Sequence, residues 1–167
     1  MTASFADLPD AARVWVFVCE PPAAAESALA AVRAWLPSWT SHGRPVQARA
    51  DVAEGGVLVV AAAIREADLN AGVSGCGIDA MQHAVEAALE AAGGTLAPAL
   101  GVRYRDGDGA WATMSRPGFR RLIAAGVVAG GTPVVDPTPG TLGALRAAGG
   151  VVRDAAEAWT GQAFALS

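Results

Sequence analysis

The stretch VQARADVAEGGVLVVAAAI, from Val46 to Ile64, decides the fold because it contains two strands of different character. In its first part, Val46 to Val52, apolar and polar residues alternate, so this strand is predicted to have one face toward solvent. The second part begins at Val57 and is apolar at every position, so we expect a strand that is covered on both faces. The EGG sequence between them predicts a tight turn. The stretch therefore predicts a hairpin of one edge strand and one central strand.

The segments on either side extend this hairpin to the order β-α-β-β-α-β. The run RVWVFVC (Arg13–Cys19) is apolar on both faces and predicts a second central strand. The alanine-rich segment Pro21–Trp39 predicts a helix, which the SHG sequence closes at Gly43. IDAMQHAVEAALEAA, from Ile78, predicts an amphipathic helix, and ALGVRYR (Ala99–Arg105) alternates like an edge strand. The motif DGDG then predicts a hairpin with AWATM as its return strand.

This order predicts an α+β fold of the ferredoxin-like split βαβ type, with the sheet order 4-1-3-2. That arrangement requires strands 1 and 3 to be central and strands 2 and 4 to be edges, which is what the apolar patterning indicates independently. We expect residues 1–115 to form this core. Residues 116–167 are expected to form a C-terminal extension integrated with it, with a helix from Pro117 to Gly126 and helical candidates in TLGALRAAGG and VVRDAAEAW.

The central strands present a second apolar face, which a split βαβ fold leaves without helices. A large exposed apolar patch is costly or functional, so something must cover it. The C-terminal extension is one candidate cover, and a second copy of the chain, forming a homodimer, is the other. A protein partner bound at this face is compatible with the same pattern.

The charge and composition exclude several classes of function. The net charge of −4 argues against a nucleic-acid partner, which requires a basic face. All 12 basic residues are arginines, so a Schiff-base lysine and a P-loop are both excluded. Two cysteines, Cys19 and Cys76, are too few for a disulfide framework. We find no signal-peptide pattern at the start and no apolar run of membrane-spanning length, and therefore expect a cytoplasmic protein without membrane association.

The segment NAGVSGCGIDA, from Asn70 to Ala80, is the first candidate site. Flexible backbone leads here into a helix N-terminus, where free N–H groups and the helix dipole favour an anion or a thiolate. The predicted ligand-binding residues for a small anionic ligand are Asn70, Ser74, Gly75 and Gly77. The alternative is structural: the glycines permit a tight turn, and Cys76 is a small buried apolar residue.

His42, in WTSHG, is the second candidate. In the predicted fold it lies at the same end of the sheet as Cys76, Asp79 and the Asp106–Asp108 hairpin, while Cys19 lies at the opposite end. A cysteine and a histidine oriented by a carboxylate are the minimal set for thiol catalysis, so Cys76, His42 and Asp79 are the predicted catalytic residues. The alternative is that His42 is an ordinary residue at a helix C-terminus.

The histidines and cysteines do not have zinc spacing, and neither a metal nor a cofactor is expected. Three segments, LPDAARVWVF, WTSHGRPVQA and NAGVSGCGIDA, together resemble a family of small bacterial proteins of unknown function. The strongest part of the resemblance is Ser74-Gly75-Cys76 with Ile78-Asp79. Some members carry an automatic label of ABC transporter ATPase, which this chain contradicts because it has no lysine for a Walker A motif. The resemblance implies no activity.

Two hypotheses about function remain at this point. The first is a non-catalytic domain that binds a partner or itself through the apolar sheet face or the C-terminal segment. The second is a thiol-dependent enzyme, or a binder of a small anion, that uses the end of the sheet where Cys76 and His42 lie. The surplus apolar face and the lack of a complete catalytic set favour the first.

Overall fold

A computed structural model describes residues 2–64 and 73–167, and this part of the chain is a mixed α+β structure with two antiparallel sheets and five α-helices. The elements are β1 (Arg13–Glu20), α1 (Ala24–Trp35), β2 (Thr40–Ser41), β3 (Arg44–Ala53), β4 (Val57–Ile64), α2 (Gly75–Ala91), β5 (Thr95–Leu96), β6 (Gly101–Arg105), β7 (Trp111–Ser115), α3 (Arg116–Ala124), β8 (Pro133–Val135), α4 (Leu142–Ala147), β9 (Val152–Asp154) and α5 (Trp159–Phe164). Short 3₁₀ turns cover Thr2–Phe5 and Leu36–Ser38.

The first sheet has the order β2-β3-β4-β1-β5, with β4 at its centre. Strand β4 pairs antiparallel with β1, where Val14 lies opposite Ala61, and with β3, where Ala50 lies opposite Val60. The two strands that are apolar on both faces, β1 and β4, are therefore neighbours inside the sheet. Strand β3 alternates as predicted, with Ala48 and Ala50 buried and Arg49 exposed between them.

The predicted sheet order 4-1-3-2 is not observed, because the strand predicted for Ala99–Arg105 does not join the first sheet. The position beside β1 is occupied by β5, which pairs with β1 at only two residues. Pro98 follows β5 and has no N–H for a ladder, and the chain turns there, with the Gly101 N–H donating to the Pro98 carbonyl at 2.8 Å. Strand β6 begins after this turn and belongs to a second sheet of order β7-β6-β8-β9.

Both faces of the first sheet are covered by the chain itself. Helices α1 and α2 cover one face, where the core contains Trp39, Leu58 and Met81. The opposite face, which the sequence leaves without a cover, packs against α4 and the N-terminal segment. The buried residues that meet on that face include Phe5, Leu8, Val14, Val57, Val59, Leu142 and Leu145. This coverage removes the reason for expecting a homodimer through that face.

The second sheet has its own core, in which Tyr104 of β6, Phe119 of α3 and Val134 of β8 are buried. It combines β6 and β7 with strands that follow residue 115, and Tyr104 pairs with Val134. The prediction of a helix through VVRDAAEAW is wrong except at its last residue, Trp159. Val152–Asp154 is a strand because its backbone pairs with β8, and the last helix begins only at Trp159.

Candidate functional site

The start of helix α2 is fixed to the segment that precedes His42. Ser74 is the N-cap residue, and its Oγ accepts a hydrogen bond from the Gly77 N–H at 3.1 Å. The Ser41 Oγ accepts from the Ser74 N–H at 2.9 Å and lies 3.1 Å from the Ser74 Oγ. The Trp39 indole Nε1–H donates to the Gly77 carbonyl at 2.8 Å. The first turn of α2 is therefore docked on Trp39 and Ser41.

Gly77 has a packing role in this docking. A Cβ atom at Gly77 would lie 3.1 Å from Val73 Cγ1 and 3.2 Å from Ser74 Oγ, whereas one at Gly75 would meet nothing within 4 Å. The structural alternative is wrong in two respects, because Gly75 and Gly77 lie inside α2 rather than in a tight turn and Cys76 is exposed rather than buried. Ser74 acts as a helix cap. Asn70, another predicted ligand-binding residue, lies outside the described residues. Binding of an anion by Ser74, Gly75 and Gly77 stays a prediction.

His42 does not end a helix, which corrects the structural alternative for this residue. It forms a two-residue turn with Gly43 between β2 and β3, and both residues have positive φ, 51° and 73°. Because Ser41 contacts Ser74, the turn at His42 and the helix start at Cys76 lie at the same end of the first sheet. Both side chains are exposed, as is that of Asp79.

Within residues 2–64 and 73–167, no hydrogen bond or ion pair joins Cys76, His42 and Asp79. Their catalytic roles stay a prediction. The Asp106–Asp108 hairpin, expected at the same end, lies at the opposite one. Arg105 beside it pairs with Glu54 in the turn between β3 and β4, because β6 belongs to the second sheet.

Cys19 is buried near that opposite end of β1, and both cysteines are free. Its thiol contacts the Phe17 carbonyl at 3.5 Å. Burial raises the pKa of the Cys19 thiol, since the thiolate would lose its hydration. Cys19 therefore behaves as a small apolar core residue rather than as a nucleophile.

A groove lies at the junction of the two sheets. Its inner part is a cavity of about 270 Å³ beside β1, and its outer part is a cavity of about 580 Å³ that reaches α3. The two parts share Pro98, Gly101 and Thr113. The outer part is mostly apolar, and Leu100, which lines it, is 68% exposed. Leu100 and Val127 are the two large apolar side chains that are exposed in the described part of the chain, and of these only Leu100 lines the groove.

The inner part of the groove runs along an unpaired edge of β1. The Cys19 N–H donates to the Gly56 carbonyl beside β4, so the odd-numbered residues of β1 bond toward β4 and the even-numbered ones face away from it. On that outer edge the Val14 N–H donates to the Gly140 carbonyl at 3.1 Å, and the Val18 carbonyl accepts from the Ala97 N–H at 2.8 Å.

Between these two contacts, no described strand pairs with Val16 on the outer edge. The N–H and C=O groups of Val16 and the N–H of Val18 are therefore open to the groove. The open stretch spans about three residues of an added strand, at roughly 3.4 Å per residue.

A polar cluster holds the two sheets together at the base of the groove. The Arg103 side chain of β6 is buried, and its Nη2 donates to the Cys19 carbonyl at 2.6 Å and lies 3.0 Å from Glu20 Oε1. The Thr113 hydroxyl donates to the same Glu20 oxygen at 2.6 Å. Arg103 Nε is buried without a hydrogen-bond partner in the described part of the chain.

A second depression lies along β3, beside Arg33 and Arg49, with a volume of about 500 Å³. Its charged groups already have partners, since Arg33 pairs with Asp51 and Arg49 with Asp7. It therefore offers fewer unsatisfied groups to a ligand than the groove does.

The residues of the groove were not identified as a site by the sequence. Leu100 was expected on a buried face with Val102 and Tyr104, but the strand starts one residue later, at Gly101. Pro98 is the signal that could have shown this, because a proline interrupts a strand ladder. The role of Arg103 had no local signal, since its partner Glu20 is distant in the sequence.

The comparisons with known proteins leave the site to be interpreted from its geometry. No protein-family model, no curated protein and no solved structure matches this chain. None of the helices in the described ranges is long and apolar enough to cross a membrane. Within those ranges, no three His, Cys, Asp or Glu side chains are grouped so that they could hold a metal ion.

Proposed function

We propose that this protein is a non-catalytic binding domain that takes a short extended segment of a partner protein into the groove between its two sheets. The observation that carries the proposal is the open backbone edge at Val16, which lines the same groove as the exposed side chain of Leu100. An unpaired N–H and C=O on a strand edge are the groups that an added strand recognises.

The groove supplies both parts of this mode of peptide recognition. Main-chain hydrogen bonds to Val16 and Val18 would provide affinity, and the apolar cavity around Pro98 and Leu100 would select an apolar side chain. Since Gly140 and Ala97 occupy the edge on both sides, the segment pairs with β1 over about three residues and leaves the plane of the sheet at each end. The two free cysteines fit a reducing compartment, so the cytoplasm is the setting that we propose.

The test is selection of displayed random dodecapeptides on the immobilised full chain. We expect enriched peptides that contain apolar residues and that bind Leu100→Asp at least about tenfold more weakly, since a charge in an apolar pocket opposes an apolar ligand. Val127→Asp is the matched control, because Val127 is also largely exposed, at 58%, and does not line the groove. This control is expected to bind the peptides like the wild type.

Hydrogen exchange provides a second readout of the same complex. In the free protein the amides of Val16 and Val18 are expected to exchange faster than those of Trp15 and Phe17, which pair with β4. A bound peptide should slow exchange at Val16 and Val18. Two results would overturn the proposal. One is that no peptide is enriched. The other is that the enriched peptides bind Leu100→Asp as tightly as the wild type and leave the Val16 amide unprotected.

A further inference from the structure

Helix α3 carries three exposed arginines, Arg116, Arg120 and Arg121, that form no ion pair with any described residue. Six other arginines do form such pairs: Arg33, Arg49, Arg103, Arg105, Arg146 and Arg153. The chain as a whole has a net charge of −4. A cluster of uncompensated cations on one short helix is therefore opposite in sign to the chain as a whole, and it attracts an anionic group locally.

Two of these arginines are held in place by aromatic rings. The guanidinium of Arg116 lies over the Trp159 ring, 4.9 Å from its centroid, and that of Arg120 lies 5.7 Å from the centroid of Phe164. Stacking fixes the plane of a guanidinium and leaves its N–H edge free for a carboxylate. Because the side chains are already ordered, a ligand that binds them loses less conformational entropy.

The arginine cluster continues the groove of the proposed binding site. Arg116 and Pro117 line the outer part of the groove together with Leu100. The same two residues also line a further cavity of about 380 Å³, which Arg120 and Arg121 border. A continuous concave path thus leads from Val16 past Leu100 to α3. Its far end is basic, and Glu20, the acidic residue of the outer part, is already paired with Arg103.

From this arrangement we infer that the partner segment is an acidic peptide with an asymmetric pattern, an inference that rests on the proposed function. Its apolar residues lie against Val16 and Leu100, and its carboxylates follow on the side that leaves the groove over α3, where they meet Arg116 and Arg120. Carboxylates at the other side, beyond Val16, would lie away from the arginines of α3 and would gain no such partner. A peptide is favoured over a nucleic acid because the groove between the basic helix and β1 is apolar and because the chain as a whole is acidic.

The test uses fluorescence anisotropy of labelled peptides with the full-length chain. The probes are an octapeptide of four alternating valines and leucines, one glycine and three glutamates, its reversed sequence, and the same two peptides with glutamine in place of glutamate. We expect one orientation of the glutamate peptide to bind about tenfold more tightly than its glutamine counterpart at low salt, and this preference to shrink in 0.5 M salt.

The variants assign the preference to α3. Combined Arg116→Gln, Arg120→Gln and Arg121→Gln substitutions should lower the affinity for the glutamate peptide to that of the same variant for the glutamine peptide. Arg13→Gln is the matched control, because Arg13 is also an exposed arginine stacked on a ring, that of Trp15. It is expected to keep the preference, and thermal melting checks that each variant is folded.

The outcomes separate this inference from the function on which it rests. The glutamate and glutamine peptides could bind the wild type equally, and both could bind Leu100→Asp more weakly. In that case the proposed peptide-binding function is retained, and the inference that the partner segment is acidic is wrong. If no peptide binds at all, the proposed function fails first. Tight, arginine-dependent binding of a 12-nucleotide single strand, with no preference among the peptides, would overturn the acidic peptide in favour of a nucleic acid.

Discussion

The Nη2 atom of Arg103 lies 3.0 Å from Oε1 of Glu20, and this ion pair joins the two sheets beneath the groove. Arg103 belongs to β6 of the second sheet, whereas Glu20 ends β1 of the first. The same Nη2 also donates to the Cys19 carbonyl at 2.6 Å. A buried guanidinium therefore lies between the two sheets, directly beneath the groove.

Arg103→Met is expected to lower the free energy of unfolding by about 2–4 kcal/mol, measured by urea denaturation. Removing one partner of a buried pair leaves the Glu20 carboxylate and the Cys19 carbonyl without their donor. The Glu20 side chain is 35% exposed, so solvent compensates part of this loss. Arg105→Met, in the same strand, removes a more exposed pair with Glu54 and should cost only about 1 kcal/mol. Equal losses in the two variants would show that Arg103 does not connect the sheets energetically.

Trp39→Phe should destabilise the protein by about 1–3 kcal/mol and loosen the first turn of α2. The substitution removes the donor to the Gly77 carbonyl in a buried position, while most of the apolar ring contact is kept. Trp35→Phe is the control, since Trp35 is only half-buried. Hydrogen exchange of the α2 amides checks the result. Unchanged protection at the start of α2 in Trp39→Phe would contradict the docking role assigned to Trp39.

The sequence could predict the elements whose residues are determined by local periodicity. Strands β1, β3 and β4 follow from alternation or from continuous apolar runs, and α1 and α2 follow from alanine-rich, amphipathic patterns. The cap at Ser74 was not predicted, although it follows from local chemistry, because a serine oxygen satisfies a free helix N–H.

The fourth strand and the groove could not be predicted in the same way. The alternation of apolar residues through Leu100, Val102 and Tyr104 indicates a strand, but it does not determine which sheet the strand joins. That choice depends on the turn at Pro98 and on pairing with Val134, a residue far along the chain. The groove is formed where the two sheets meet, so no local pattern contains it.

Cys19 gives a pH dependence with a definite sign. Burial raises the pKa of its thiol above the ordinary value of 9.0. The thiol in the unfolded chain ionises at that ordinary value while the folded one stays neutral. The stability that this difference provides is therefore fully present below pH 9 and is lost as the pH rises through the folded value. We expect the unfolding free energy to fall more steeply above pH 9 in the wild type than in Cys19→Ala, by at most about 1.4 kcal/mol per pH unit.

The control for this measurement is Cys76→Ala, which removes the exposed thiol and should keep the wild-type slope. Denaturant titrations at several pH values between 7 and 10 supply the comparison. If Cys19→Ala showed the same alkaline slope as the wild type, the buried thiol would not be the group responsible.

Gly56, in the turn between β3 and β4, should be far less tolerant of a side chain than Gly43. Both residues have positive φ, 69° and 73°, so replacement by alanine costs each about 1 kcal/mol of backbone strain. A Cβ atom at Gly56, however, would lie 2.3 Å from the Cα of Pro22, whereas one at Gly43 would meet nothing within 4 Å. The backbone at Pro22 cannot move aside as a flexible side chain would.

We therefore expect Gly56→Ala to lower the unfolding free energy by at least about 3 kcal/mol and Gly43→Ala by about 1 kcal/mol. Similar losses in the two variants, measured by urea denaturation, would mean that the turn moves away from Pro22 at little cost.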